Sequence, residues 1–404
     1  MSVTIERLGH HGDGIAAGPI FVPLTLPGEV VEGDIADGRI ATPRIITPSV
    51  DRVRPPCPHF KSCGGCALQH ASDAFVAGWK AEVVETALTA HGLTTSIRGV
   101  KTSPPKSRRR ASFSGRRTKK GALVGFHARA SGTVIEVPNC QILHPGILAL
   151  VPACQRLTII GASRKGEISM SVTVADKGTD IAVTGGKPLD MQLRQELSAL
   201  IAQFGLARLT WDDETVAQEY PPVHLIDGVA VTPPPGAFLQ ATKEGEAGLI
   251  KSMAEAVGTA KRIADLFSGC GTFALPLARN AEVHAVESEA EMLTALDAGW
   301  RKSTGLKKIT TETRDLFHMP LLPIDLRKYD AVVLDPPRAG AESQTTAIAE
   351  STVPRVGFVS CNPVTFARDA KILVDAGFTL DWIDVIDQFR WSPHVEIAAQ
   401  FTRL

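Results

Sequence analysis

An α/β chain in three parts is what this sequence predicts, and three changes of rhythm along it carry the prediction. Over residues 231–404 short, nearly continuous apolar runs ("RIADLFS", "EVHAVES", "YDAVVLD", "RVGFVSC") alternate with helical stretches, the βαβ pattern of a doubly wound parallel sheet. Residues 1–50 instead alternate short β-branched runs with Gly and Pro ("IERLGHHGDGIAAGPIFVPLTLPGEVVEGDI"), a rhythm that suits a small five-stranded barrel of the oligonucleotide-binding type. Between them, residues 51–230 read as a β-rich central region, with "GALVGFHA", "ISMSVTVA" and "DIAVTGG" as strands. One amphipathic pattern interrupts it, "AFVAGWKAEVVETALTAHGL", which is expected to form a helix over about 74–92 that packs on the C-terminal part.

A chain of 404 residues is too long for a single core, in keeping with that division. With 44% hydrophobic and 21% charged residues it has the composition of a soluble globular protein. Lys+Arg and Asp+Glu balance at 43 each, so neither a strongly basic nor a strongly acidic class applies. The distribution is more informative, because ten basic residues and no acidic ones fall between Lys101 and Arg129. Such a block either solvates a surface or grips phosphates. "MSVTIERLGHHGDG" has no apolar signal core and no apolar run reaches membrane length, so a cytoplasmic protein with no membrane partner is expected, as a monomer. In a reducing compartment seven cysteines do not form a disulfide framework; clustered ones are metal ligands, and isolated ones pack or do chemistry.

Two segments of the C-terminal part look chemical. "DLFSGCGTFALPLA" is a strand, a glycine turn and a helix start, in which Gly269 and Gly271 admit a ligand close to the backbone. Glu287, 18 residues after Gly269, ends the next strand at the distance where an acid grips ribose hydroxyls. A dinucleotide and S-adenosylmethionine both fit this pattern. "YDAVVLDPPRAG" then ends a strand on Asp335 and stiffens the turn with two prolines, and it resembles the fourth motif of class I methyltransferases. Arg338 stands where enzymes that methylate exocyclic amines carry an aromatic residue, which argues against amine methylation.

Cys361 follows Asp335 by 26 residues, at the end of the next strand. Carbon 5 of a pyrimidine is a poor nucleophile, and a thiolate that adds to carbon 6 makes carbon 5 enolate-like. Asp335 is then placed to hydrogen-bond the pyrimidine edge. A base must afterwards remove the proton from carbon 5, and Glu396 in "PHVEIAAQFTRL" is the candidate, with His394 expected on the same face of one strand. Cys57, Cys63 and Cys66, spaced C-x5-C-x2-C, form a second constellation with Cys140 as the natural fourth ligand. Four thiolates suit structural zinc or a [4Fe–4S] cluster. His59 and His70 beside them read as neighbours that support the ligands or as solvated side chains, and Cys154 and Cys270 as packing residues.

Taken in order, "GAFLQAT", "DLFSGCGTF", "LDPPRAG", "VSCNPVTFARD" and "HVE" resemble the RNA uracil-carbon-5 methyltransferases, and the resemblance covers essentially the whole chain. It implies a Rossmann-like class I methyltransferase domain over 231–404, a TRAM-type barrel over 1–50 and a [4Fe–4S] cluster on Cys57, Cys63, Cys66 and Cys140. Cys361 would be the nucleophile and Glu396 the proton acceptor. S-adenosylmethionine contacts would fall on Gln240, Phe267, Thr272, Glu287, Asp315 and Asp335. Within the family the cluster and barrel accompany the ribosomal branch, so 23S ribosomal RNA is the expected substrate, with transfer RNA as the alternative. The basic segment, with Phe113 and Phe126 inside it, is the expected RNA-backbone contact. Two rivals from other classes are a dinucleotide-dependent oxidoreductase and a non-catalytic RNA-binding assembly factor.

Overall fold

The computed structural model describes residues 1–403. Its first 47 residues form one antiparallel sheet from β1 (Ser2–Leu8), β2 (Gly14–Ala16), β3 (Ile20–Val22), β4 (Val30–Glu32) and β5 (Arg44–Thr47), in the order β3-β2-β1-β4-β5. Ile5, Ala16, Val22, Val31 and Ile40 close its small core. Glu29 is buried at its rim and accepts from Leu26 N at 2.9 Å, Ser49 N at 3.1 Å and Arg52 Nη2 at 2.7 Å. Burial alone would raise that carboxyl; Arg52 and the two N–H groups bring it below its usual range and tie the sheet to the segment that follows.

Helix α1 (Asp73–Thr89) starts at Ser72, whose Oγ accepts from Phe75 N, and leads into β6 (Ile97–Thr102). A seven-stranded sheet then forms from β7 (Arg110–Arg117), β8 (Ala122–His127), β9 (Val134–Ile135), β10 (Glu167–Val174), β11 (Thr179–Thr184), β12 (Arg208–Trp211) and β13 (Glu214–Gln218). The turns α2 (Pro145–Ala149) and α3 (Val151–Gly161), together with α4 (Met191–Phe204), cover it over a core that includes Phe113, Cys154, Leu157, Met170 and Trp211. Cys154 is thus a packing residue. A short hairpin, β14 (His224–Ile226) and β15 (Val229–Val231), closes this region.

The remaining chain alternates α5 (Lys243–Val257), β16 (Arg262–Leu266), α6 (Ala274–Leu277), β17 (Glu282–Glu287), α7 (Ala290–Arg301), β18 (Ile309–Thr313), α8 (Pro323–Leu326), β19 (Ala331–Leu334), α9 (Glu342–Ala349), β20 (Arg355–Ser360), α10 (Pro363–Asp375), β21 (Thr379–Asp387) and β22 (Ile397–Thr402). The sheet order is β18-β17-β16-β19-β20-β22-β21-β6. Strands β16–β20 are parallel, and the order reverses between β16 and β19, the switch point where such sheets open a cleft at their C-terminal edge. Helices cover both faces, over two cores that contain Phe358, Phe366 and Phe401 on one side and Met253, Val333 and Trp382 on the other.

Three features depart from the sequence reading. The sheet is mixed, because β22 runs antiparallel to both β20 and β21 after a turn rather than a helical crossover. Strand β6, sequentially in the central stretch, pairs parallel with β21 at the far edge of the C-terminal sheet, while α1 packs beside α10 as its amphipathic pattern leads one to expect. His394 and Glu396 lie in the turn before β22 rather than on one face of a strand. Among the described residues no helix is long and apolar enough to cross a membrane.

Candidate functional site

Loops at the C-terminal ends of β16, β17, β19 and β20 meet over the switch point. After β16 the chain turns back through Phe267, at φ +61°, and through Gly271, where a Cβ would stand 2.8 Å from Leu296. A positive φ on a bulky aromatic residue is costly and characteristic of ligand-binding loops. Glu287 Oε2 accepts from Gly269 N at 3.1 Å while its Oε1 accepts from Ser288 N and Glu289 N, so a carboxylate is fixed beside the glycine turn. Phe267 and Phe317 lie 5.5 Å apart across the opening, and Asp315 Oδ1 accepts from Phe317 N at 2.9 Å. An acid for ribose hydroxyls, aromatic faces and a tight glycine turn fit a nucleoside-bearing cofactor.

Cys361 stands between the end of β20 and the start of α10. Asn362 caps that helix, accepting from Val364 N at 3.1 Å, and Pro363 supplies the first-turn φ. Asn362 Nδ2 also donates to Arg338 O at 2.9 Å, and Thr365 Oγ1 donates to the same oxygen at 3.2 Å, which binds the Asp335-Pro-Pro turn to the cysteine turn. Gly340, at φ +79°, completes the joint, since a Cβ there would meet Arg368 and Asp369 at 2.6 Å. The two strand ends therefore hold a fixed spacing.

Burial dominates the titration of the groups at the reacting end of this pocket. Burial, then the negative charge of Glu287, raises Asp335 to about 7. Burial and Asp335 raise Glu396 to about 8, against a hydrogen bond from Gln388. Burial, Glu396 and Asp335 push the Cys361 thiol up to about 11, while Arg338 pulls it down. Beneath them Asp265, fully buried in β16, sits far above the usual carboxylate range through burial and the charges of Asp335 and Glu287. Proximity to the N-terminus of α10 and to a bound cation would shift the balance at Cys361 toward thiolate.

Cys361, Glu396, Asp335, Gln240, Phe267, Thr272, Glu287, Asp315, Cys57, Cys63, Cys66 and Cys140 all line one cavity of about 1030 Å³. The cysteines are free, with Cys57 and Cys140 buried and Cys63 and Cys66 half-buried. Gly65 N donates to Cys63 Sγ at 3.4 Å. Among the described residues no group of three or more His, Cys, Asp or Glu side chains is arranged so that it could hold a metal ion. Four free thiols lining one cavity are the donor type that structural zinc or a [4Fe–4S] cluster takes. His59 also lines the cavity, whereas His70 is buried outside it, stacked on Phe60.

The basic segment divides. Arg109 is only 3% exposed and is bound to Glu246 and to Gln240 O, so it is structural. Phe113 is core, while Phe126 and Arg108 line the cavity. Lys106, Lys119 and Lys120 remain exposed. Sequence reasoning missed Gln388, which is 2% exposed and joins Glu396 to Gln240, and Lys80, which is fully buried and paired with Asp387. The signal for Gln388 was present, as a polar residue beside Asp387 where β21 ends.

Comparison with known proteins gives a consistent picture. The family model for tRNA (uracil-5-)-methyltransferase matches residues 234–403. An uncharacterized RNA methyltransferase of Rhizobium meliloti (strain 1021) is 44% identical over 407 residues, covering 98% of each chain. The 23S rRNA (uracil(1939)-C(5))-methyltransferase of Shewanella baltica (strain OS195) is 30% identical over 433 residues, covering 99% of this chain and 95% of that protein. Among solved structures, the Pyrococcus abyssi tRNA (uracil-54, C5)-methyltransferase in complex with S-adenosyl-L-homocysteine superimposes with a TM-score of 0.79 at 20% identity, covering 100% of this chain and 99% of that one. That last likeness is one of fold.

Proposed function

The chain belongs to the family of RNA uracil-5 methyltransferases, and from that premise we propose that it methylates carbon 5 of a uridine in 23S ribosomal RNA, with Cys361 as nucleophile and Glu396 as base. The observation that carries the chemistry is that Cys361, Glu396, Asp335 and Gln240 line one cavity with Phe267 and Glu287, with Cys361, Glu396 and Asp335 close enough to shift one another's titration. Bound there, S-adenosylmethionine supplies an electrophilic methyl group on a cationic sulfur. Gln240, Phe267, Thr272, Glu287, Asp315 and Asp335 would hold it.

As the thiolate, its proton already given up to solvent, Cys361 Sγ bonds to carbon 6 of the uracil, and the electrons of the carbon 5–carbon 6 double bond move to carbon 5 and its neighbouring carbonyl. Asp335 and Gln240 hydrogen-bond the uracil edge and keep water out. Once carbon 5 carries its new methyl group, Glu396 takes the remaining proton from that carbon. The double bond re-forms, the carbon 6–sulfur bond breaks, and Cys361 is released. The base must be ionised to act, and with Glu396 at about 8 the release step quickens as pH rises toward that value.

Cys57, Cys63, Cys66 and Cys140 would hold a [4Fe–4S] cluster with a structural role. What supports that role is the binding of the cysteine loop to the catalytic turn: Ala67 N and Leu68 N both donate to Trp391 O, at 2.9 and 3.0 Å. The choice of ribosomal RNA rests on the relative named for that substrate, which aligns along nearly the full chain. Nucleoside mass spectrometry of 23S and transfer RNA from cells with and without the protein tests it. Loss of 5-methyluridine from 23S RNA is expected, and loss from transfer RNA alone overturns the substrate. A Cys361→Ala protein that still restores the modification overturns the mechanism. Iron and labile sulfide are expected after anaerobic purification; zinc without iron overturns the cluster.

A further inference from the structure

Glu396 has one side-chain partner, and it is an amide rather than a cation: Gln388 Nε2 donates to Glu396 Oε2 at 3.1 Å. The same nitrogen donates to Gln240 Oε1 at 2.6 Å, while Gln388 Oε1 accepts from Ala241 N at 2.8 Å. A main-chain N–H can only donate, so Gln388 Oε1 must be the end that faces Ala241, and both hydrogens of Nε2 are then committed. The amide cannot flip without losing all three bonds. Packing reinforces it, because a Cβ on Gly245, in the first turn of α5, would stand 2.7 Å from Gln388 Cβ.

Orientation passes outward from this lock. With Oε1 of Gln240 taken, its Nε2 must face Asp335 Oδ2, at 3.4 Å, and the cavity. With Oε2 of Glu396 taken, Oε1 is left as the proton-accepting oxygen. We propose that Gln388 is a positioning residue that sets the donor face of Gln240 and reserves one oxygen of Glu396 for the carbon 5 proton. This rests on the reading of Glu396 as the base.

Asp335 from the end of β19 and Cys361 from the end of β20 couple to this carboxyl, and Arg338 and His394 line the same cavity. Loss of the Gln388 hydrogen bond would raise Glu396 above its already elevated value, since that bond favours the ionised form.

The test is Gln388→Met in the full-length holoprotein, assayed on the RNA substrate beside wild type and Glu396→Gln. We expect kcat to fall roughly ten- to a hundred-fold with KM nearly unchanged. A denaturation-resistant RNA–protein adduct should accumulate, and the rising limb of the pH–rate profile should move to higher pH. Gln388→Glu, close to isosteric and still able to accept from Ala241 N, should behave alike and decides the matter if the Met variant does not fold. Unchanged adduct level and pH profile overturn the proposal, as does loss of S-adenosylmethionine binding together with adduct formation, which marks a merely structural residue. If Glu396→Gln traps no adduct, the reading of the base fails instead.

Discussion

Burial and the charge of Asp335 hold the Glu396 carboxyl at about 8, whereas the same group in an unfolded chain titrates near 4.5. The folded state therefore binds more protons than the unfolded state between those values, and stability contributed by this group is lost as pH rises through the window. Replacing it by a neutral isostere removes the loss. Glu396→Gln is expected to unfold at higher denaturant than wild type above about pH 8, by on the order of a few kcal/mol, and equally with wild type below about pH 4.5. Equal stability across the whole range would show that the carboxyl is not held neutral. On the proposed mechanism the same substitution is expected to abolish turnover, the site giving up stability to keep a base poised near neutral pH. Glu396 was legible in "HVE", but its pKa was not, because the burial that sets it comes from four separate strand ends.

At the scale of elements, the turn between β21 and β22 carries Gln388, Trp391 and Glu396, and it is held from outside its own sheet. Lys80, on α1, donates to Asp387 and to Phe389 O with no solvent exposure, and Arg390 Nη1 donates to Ser103 O at 3.2 Å. Breaking a buried pair leaves one charge uncompensated. Lys80→Met is expected to cost about 3–5 kcal/mol in urea unfolding and to lower kcat, with much of the stability returning in the Lys80→Met, Asp387→Asn double variant. A single variant as stable as wild type would show that the pair contributes nothing. The periodicity of α1 was readable from its apolar residues. Its buried lysine was not, because lysine at a helical position reads as solvated until a partner 307 residues away is brought beside it.

Across the whole molecule, residues of the cysteine loop, the basic segment and the methyltransferase sheet line one cavity. Exposure separates the basic residues by role. Charge reversal at Lys119 and Lys120 is expected to weaken RNA binding in filter assays and to reduce the salt slope by about 1 for each phosphate no longer neutralised, without altering folding. Arg109→Ala should instead destabilise the protein, since it strands Glu246 in a buried site. An unchanged salt slope in the Lys119 and Lys120 variants would remove this segment from the RNA surface.

Local pattern alone determined the α/β class, the strand ends that carry Asp335 and Cys361, the glycine turn with its downstream Glu287, and the grouping of Cys57, Cys63 and Cys66, because each is written within a few tens of consecutive residues. Only the tertiary structure decided that β6 joins the C-terminal sheet, that β22 runs antiparallel, that Arg109 is part of the core rather than of the RNA surface, and that Gln388 links Gln240 to Glu396. Those outcomes depend on segments distant in sequence coming together, where burial and hydrogen-bond partners, rather than residue type, determine what a polar side chain does.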